Sequence, residues 1–129
     1  MIRPLKPDSE LSYEDNSNAE LKTTYYTDAK KVTVNHSGMM RITYNLFLSG
    51  NGNTAYAGIF KNGIQMKEIS NTVNYVEVKS VVDISVVPGD VITLRLKVVN
   101  TSGGSFNNLF QIGVTTVQIG PNVVTKGVV

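Results

Sequence analysis

Residues Ile59 to Met66 read IFKNGIQM: an apolar run, a break at Lys61-Asn62-Gly63, and then alternation resumed. Asn and Gly both tolerate positive φ, so the Asn-Gly pair between two apolar runs predicts a two-residue β-hairpin. The question it raises is what kind of β protein uses this hairpin.

Upstream, MMRITYNLFL alternates over Met39 to Leu48. Met40, Ile42, Tyr44, Leu46 and Leu48 fall on one face, with Arg41, Thr43 and Asn45 on the other, as a half-buried strand requires. KVTV precedes it through the turn Asn35-His36-Ser37-Gly38, and TAYAGIFK follows it through Ser49-Gly50-Asn51-Gly52-Asn53. Downstream of the hairpin come IQMKEI and then VNYVEVK and SVVDISVV, which read as a further pair of strands. Pro88-Gly89-Asp90 turns the chain into DVITLRLKVV, where Ile92, Leu94, Leu96 and Val98 oppose Thr93, Arg95 and Lys97. The loop NTSGGSFNN leads to a last run, LFQIGVTTVQI. Nowhere does i, i+3, i+4, i+7 spacing persist for three helical turns. The expectation is an all-β chain of eight to ten strands in a two-sheet antiparallel sandwich.

The 129 residues suit one domain, with 41% hydrophobic and 17% charged residues. Residues 1–20, with two of the four prolines and few apolar side chains, read as an extended arm; residues 21–119 are the β domain and 120–129 a tail. The absence of cysteine removes disulfides, thiolate nucleophiles and Cys-based zinc sites, and fits folding in a reducing cytosol. MIRPLKPDSE places no apolar stretch behind its basic residues, so neither a signal peptide nor a membrane insertion is expected. A net charge of +2, spread along the chain, argues against a nucleic-acid partner. Tyr25, Tyr26, Lys30 and Lys31 form the one cluster that could bind single strands.

Catalysis finds little support. His36 is the sole histidine, in a turn whose Asn, Ser and Gly have ordinary turn roles, and Ser37 beside it makes no triad. Asp8, Glu10, Glu14, Asp15 and Glu20 read as a solvated arm rather than a calcium site. Asp90 reads as the close of a turn. Gly50, Gly52, Gly103 and Gly104 precede no helix that could receive a phosphate. The chain is therefore expected to be no enzyme, with no catalytic, cofactor or metal residues and no cofactor. A surplus of apolar residues remains off the main faces: Met39, Phe47, Ile59, Val76 and Val99. These either pack irregularly or cover a neighbouring subunit.

The order of the pieces HSGMMRITYNLFL, YAGIFKNGIQM, ISVVPGDVITLRLKV and NNLFQIGVTTVQI resembles the jelly roll of the complement globular-head and tumour necrosis factor superfamily, over about Val32 to Ile119. The resemblance implies a tumour necrosis factor-like jelly roll. It places Gly38, Asn62, Gly63, Gly89, Asp90 and Phe110 at framework positions, and it implies a homotrimer packed through one sheet of each subunit. A cysteine-free chain of this size, beginning at Met1 with Asn/Thr/Gly-rich loops, is also similar to bacteriophage virion components. The expected function is a structural protein of a phage or prophage, made in the host cytoplasm and bound as a trimer to capsid, collar or tail in a decoration or accessory role. Residues 1–20 and 120–129 would be its attachment elements. The alternatives are a receptor- or glycan-binding head whose loops Ser49–Asn53 and Thr101–Asn108 face a host surface glycan, and a secreted trimeric ligand of the tumour necrosis factor type.

Overall fold

Alternation within strands and Asn/Gly turns between them wind the chain as a folded ribbon. The computed structural model describes residues 2–4, 13–114, 116–118 and 123–129. The strands are β1 (Ile2–Pro4), β2 (Tyr13–Glu14), β3 (Ala19–Leu21), β4 (Thr27–Val34), β5 (Gly38–Ser49), β6 (Ala55–Lys61), β7 (Ile64–Asn71), β8 (Val78–Val86), β9 (Val91–Val98), β10 (Gly104–Asn107), β11 (Phe110–Val114), β12 (Thr116–Gln118) and β13 (Val124–Lys126).

The pairings are nested. β6 pairs β7, β5 pairs β8, β4 pairs β9, and β2 and β3 pair β11 and β10, all antiparallel. This ribbon then wraps so that β10 and β11 meet β5 while β9 meets β6. One main sheet carries β2/β3, β10/β11, β5 and β8, the other runs β13-β4-β9-β6-β7, and β1 pairs β12 in a small two-stranded sheet of their own. The chain is thus an all-β jelly roll of two antiparallel sheets, as the sequence predicts. No helix among the described residues is long and apolar enough to cross a membrane.

The core lies between the sheets, where the predicted alternation holds. Met40, Ile42, Tyr44, Leu46 and Leu48 of β5 are buried against Ile92, Leu94, Leu96 and Val98 of β9, with Ala57 and Ile59 of β6 and Phe110 and Ile112 of β11. Burying each such large side chain contributes roughly 1.5–3 kcal/mol, which offsets the cost of ordering the chain.

The Asn-Gly hairpin is as expected, since Lys61 pairs with Ile64 and Asn62 (φ 52°) and Gly63 (φ 82°) both take the left-handed conformation of a type I′ turn. Asn62 also does something its local sequence does not announce. Its N–H donates to the Val91 carbonyl (2.8 Å), its Oδ1 accepts the Val91 N–H (2.8 Å), and its Nδ2 donates to Asp90 Oδ1 (2.9 Å). Asp90 Oδ2 in turn accepts the Val87 N–H (3.0 Å). The KNG and PGD turns are therefore clasped together.

Several boundaries differ from the sequence reading. The segment taken as an arm supplies β2 and β3 to the sheet, and the tail supplies β13 beside β4; residues 5–12 lie outside the described set. These strands are two or three residues long, too short to show a period. VNYVEVK and SVVDISVV form one strand, β8, rather than a pair. Buried Asn71 donates Nδ2 to the carbonyls of Leu46 (3.0 Å) and Val76 (2.6 Å), pinning 72–77 as a loop. The NTSGGSFNN loop contains β10. Buried Asn107 breaks this strand from β11 by donating to the carbonyls of Asn45 (2.8 Å) and Leu109 (2.9 Å).

Asn62→Ala removes both side-chain links of the clasp and places a Cβ-only residue at positive φ. It is expected to lower stability by about 1–3 kcal/mol in urea unfolding, with an unchanged m-value. Gly63→Ala, which disturbs only the turn, should cost less.

Candidate functional site

Strand pairing sets three side chains in a row on the outer face of the β5 sheet. Phe106 of β10 stands opposite Phe47 of β5 on one side and Glu20 of β3 on the other. The two rings stack face to face, with centroids 4.8 Å apart and planes 7° from parallel. Glu20 folds over Gly104, where any Cβ would meet its carboxylate, and its Oε2 accepts the Ser49 hydroxyl proton at 3.3 Å. Ser49 Oγ itself accepts the Gly104 N–H at 3.3 Å.

Tyr75 closes the other side. It takes φ 59°, costly for a bulky residue at roughly 1–2 kcal/mol, yet its side chain is not packed away: the residue is 68% exposed. The backbone is held by the Tyr75 N–H to the Leu48 carbonyl (2.9 Å) and by Gly50 N–H to Asn74 Oδ1 (2.8 Å). Between Tyr75 and Phe106 lies an open cleft of about 310 Å³, lined by Asn18, Glu20, Ser49, Tyr75 and Phe106. Chemically it offers aromatic faces beside a carboxylate, an amide and a hydroxyl, the set that orients a small polar ligand with an apolar side.

Two of these residues, Ser49 and Phe106, come from the loops expected to present a glycan. The rest of those loops serve structure. Asn53 donates Nδ2 to the Asn100 carbonyl (2.6 Å) and accepts the N–H of Thr54 (2.8 Å) and Asn100 (2.9 Å). Gly103 lies so close to Ser49 that an added Cβ would fall 2.0 Å from the Ser49 carbonyl oxygen. Asn18, Glu20 and Tyr75 went unread as site residues, because the chain reaches the cleft only through strand pairing. The one signal near Tyr75 was its neighbour Val76, among the apolar residues off the main faces.

The other candidates disperse. Tyr25 is exposed, whereas Tyr26 packs edge-on against Phe60 (5.1 Å) and donates its hydroxyl to Glu68. Both burial and Glu68 raise the Tyr26 pKa. Lys30 points inward, donates to the Asp15 carbonyl (2.8 Å), and has its pKa lowered by burial. The outer face of the β6-β9 pair instead forms its own stack, with Arg95 over Phe60 (4.5 Å) and Lys97 between Tyr26 (4.5 Å) and Tyr56 (5.0 Å). Arg95 is also paired with Asp28 at 2.8 Å. Asp8 and Glu10 lie outside the described residues; Glu14 accepts from Gln111 (2.8 Å) and Asp15 from Ser17 Oγ (2.6 Å). Burial raises the Asp15 pKa, but the Ser17 hydrogen bonds and the charges of Lys30 and Lys126 bring it below the usual value. No cluster of three potential metal ligands occurs among the described residues.

His36 is 3% exposed, and burial pushes its pKa below the ordinary 6.5. The Val123 backbone pulls the other way without closing a hydrogen bond of ordinary geometry, so neither ring nitrogen has a partner among the described residues.

No family model matches the sequence, and no curated protein matches it. Several solved structures are similar in fold, two of which follow. One, described as a family 35 carbohydrate binding module from an environmental isolate, is 15% identical with a TM-score of 0.48, covering 94% of this chain and 98% of that one. The other, rabbit GITRL, is 13% identical with a TM-score of 0.46, covering 81% of this chain and 95% of that one.

Because folded His36 resists protonation while the unfolded chain takes up a proton near pH 6.5, the unfolded state binds more protons below that pH. Stability is thus expected to fall as pH drops from about 6.5 to 5, by at most about 1.4 kcal/mol per unit. Carboxylates lowered by partners, such as Asp83 on Arg41, add their loss only from near 3.8 downward. Urea unfolding of His36→Gln should be flat between pH 5 and 6.5; an unchanged slope would assign the dependence elsewhere.

Tyr75→Gly should leave stability unchanged or slightly higher, because glycine takes φ 59° without strain. Thermal melting of Tyr75→Gly beside Tyr75→Ala checks this, with the Ala variant the less stable of the two.

Proposed function

We propose that this protein works by binding, without catalysis, as a homotrimeric structural component of a phage or prophage particle, seated on capsid, collar or tail. The observation that carries the reading is the open edge of β8 at one border of the β5 sheet, where exposed apolar side chains stand on either side of the Arg41–Asp83 ion pair. β8 pairs only with β5, which leaves its far edge open among the described residues. Val81 on its outer face, Val76 and Val87 in its flanking loops, and Met39 opposite Ser85 are all exposed. An open nine-residue strand with valines around it is a surface that monomers normally blunt. A closed ring of identical subunits covers such an edge once per copy and leaves none free.

The folded domain supports a narrower attachment element than the whole of residues 1–20, since β2 and β3 belong to the sheet. Residues 1–12 are the segment whose removal spares those strands. A second reading, a receptor- or glycan-binding head, is favoured by the aromatic cleft.

Light scattering should return three times the 14.1 kDa chain mass, and Val81→Asp, at a 45% exposed position, should return the single-chain mass with its β circular-dichroism spectrum intact. A wild-type monomer at micromolar concentration would sink the trimer. Deleting residues 1–12 should preserve folding and abolish particle binding; retained binding would sink the attachment role.

A further inference from the structure

The cleft at the end of the β5 sheet has features that framework needs do not explain. Tyr75 is a bulky side chain in a strained backbone conformation, in a loop held by its own N–H to Leu48 and by the Asn71–Val76 and Asn74–Gly50 bonds, and its ring is nevertheless presented to solvent. Strain kept for an outward aromatic, with no packing return, points to a ligand. Opposite it, Phe106 is braced from behind by Phe47, so its position is set before anything binds. The braced Phe106 face and the exposed Tyr75 ring opposite it suit the C–H side of a pyranose ring, and the polar groups of Asn18, Glu20 and Ser49 suit its hydroxyls. A volume of about 310 Å³ lies at the small end of ligand pockets and matches one sugar unit rather than an extended chain.

Charge narrows the class. Glu20 is the one charged residue among those lining the cleft, and it is held there by Ser49. A carboxylate accepts hydrogen bonds from sugar hydroxyls strongly, while a second anion beside it is repelled. We infer that the cleft binds a neutral terminal sugar unit of a glycan and rejects sialylated, uronylated or phosphorylated ones. This inference rests on the glycan-binding head reading and specifies it.

The test is a glycan array with the full-length chain, followed by titration calorimetry on neutral-terminated and sialylated oligosaccharides of matched core. Neutral glycans should bind and sialylated ones should not. Tyr75→Gly and Phe106→Ala should each weaken binding by about tenfold or more, while Tyr25→Ala, exposed elsewhere, leaves it unchanged. Glu20→Gln should weaken neutral binding and admit acidic glycans, a gain that simple misfolding cannot produce. Tyr75→Gly keeps the test valid if Phe106→Ala unfolds, because glycine suits that backbone. No binding to any glycan would overturn the head reading together with the inference. Glycan binding that ignores Tyr75 and Glu20, or that favours acidic termini, would overturn the inference alone.

Discussion

Both sheets depend on one junction, the clasp between the Asn62-Gly63 turn and the Pro88-Gly89-Asp90 turn. A jelly roll is a ribbon of nested hairpins, and its innermost hairpin, β6–β7, must be carried round until β6 lies beside β9. Asn62 continues the β6–β9 ladder past the point where β6 turns back, using its own N–H and its side-chain oxygen on both polar groups of Val91. Asp90 then joins the same side chain to the turn that launches β9. Register in a strand is all or nothing: a slip of one residue at Val91 would turn Ile92, Leu94, Leu96 and Val98 outward and Arg95 and Lys97 into the core. A few hydrogen bonds of modest worth thus select among arrangements that differ by an entire buried face.

Asparagine performs this kind of task repeatedly. Asn53 ties the loop after β5 to the loop after β9, Asn71 fixes the descent into β8, and Asn107 makes the step from β10 to β11. Asn45 sits buried on the outer face of β5, donating to Glu77 (2.7 Å) and Asn108 (2.7 Å) and accepting from the Asn108 N–H (3.0 Å). An amide that donates and accepts can replace a missing ladder bond where backbone geometry breaks, which is why polar loops here are rigid.

This division explains what could be read from sequence. The alternation of β5 and β9, the hairpin at Asn62 and the turn at Asp90 are local patterns, and the jelly roll follows from their order. β2, β3, β10 and β13 have two to four residues each and owe their existence to partners far along the chain, so no local period marks them. The apolar surplus was legible but its meaning was mixed. Ile59 belongs to the core, Phe47 carries an aromatic stack, and Met39 and Val76 stand exposed. The cleft was the least legible feature, since residues 18, 20, 49, 75 and 106 meet only when β3, β10 and β5 are paired side by side.

The aromatic cleft and the open edge of β8 lie on the same sheet, and the loop 72–77 joins them. Val76 lies beside the β8 edge and Tyr75 lines the cleft, adjacent residues in one loop. Tyr75 N–H bonds back to the Leu48 carbonyl with φ 59°, which fixes the loop backbone at the β5 end where its ring lines the cleft. The Asn71 and Asn74 contacts hold both halves of the loop at once, so the cleft and the β8 edge share one rigidly hydrogen-bonded support.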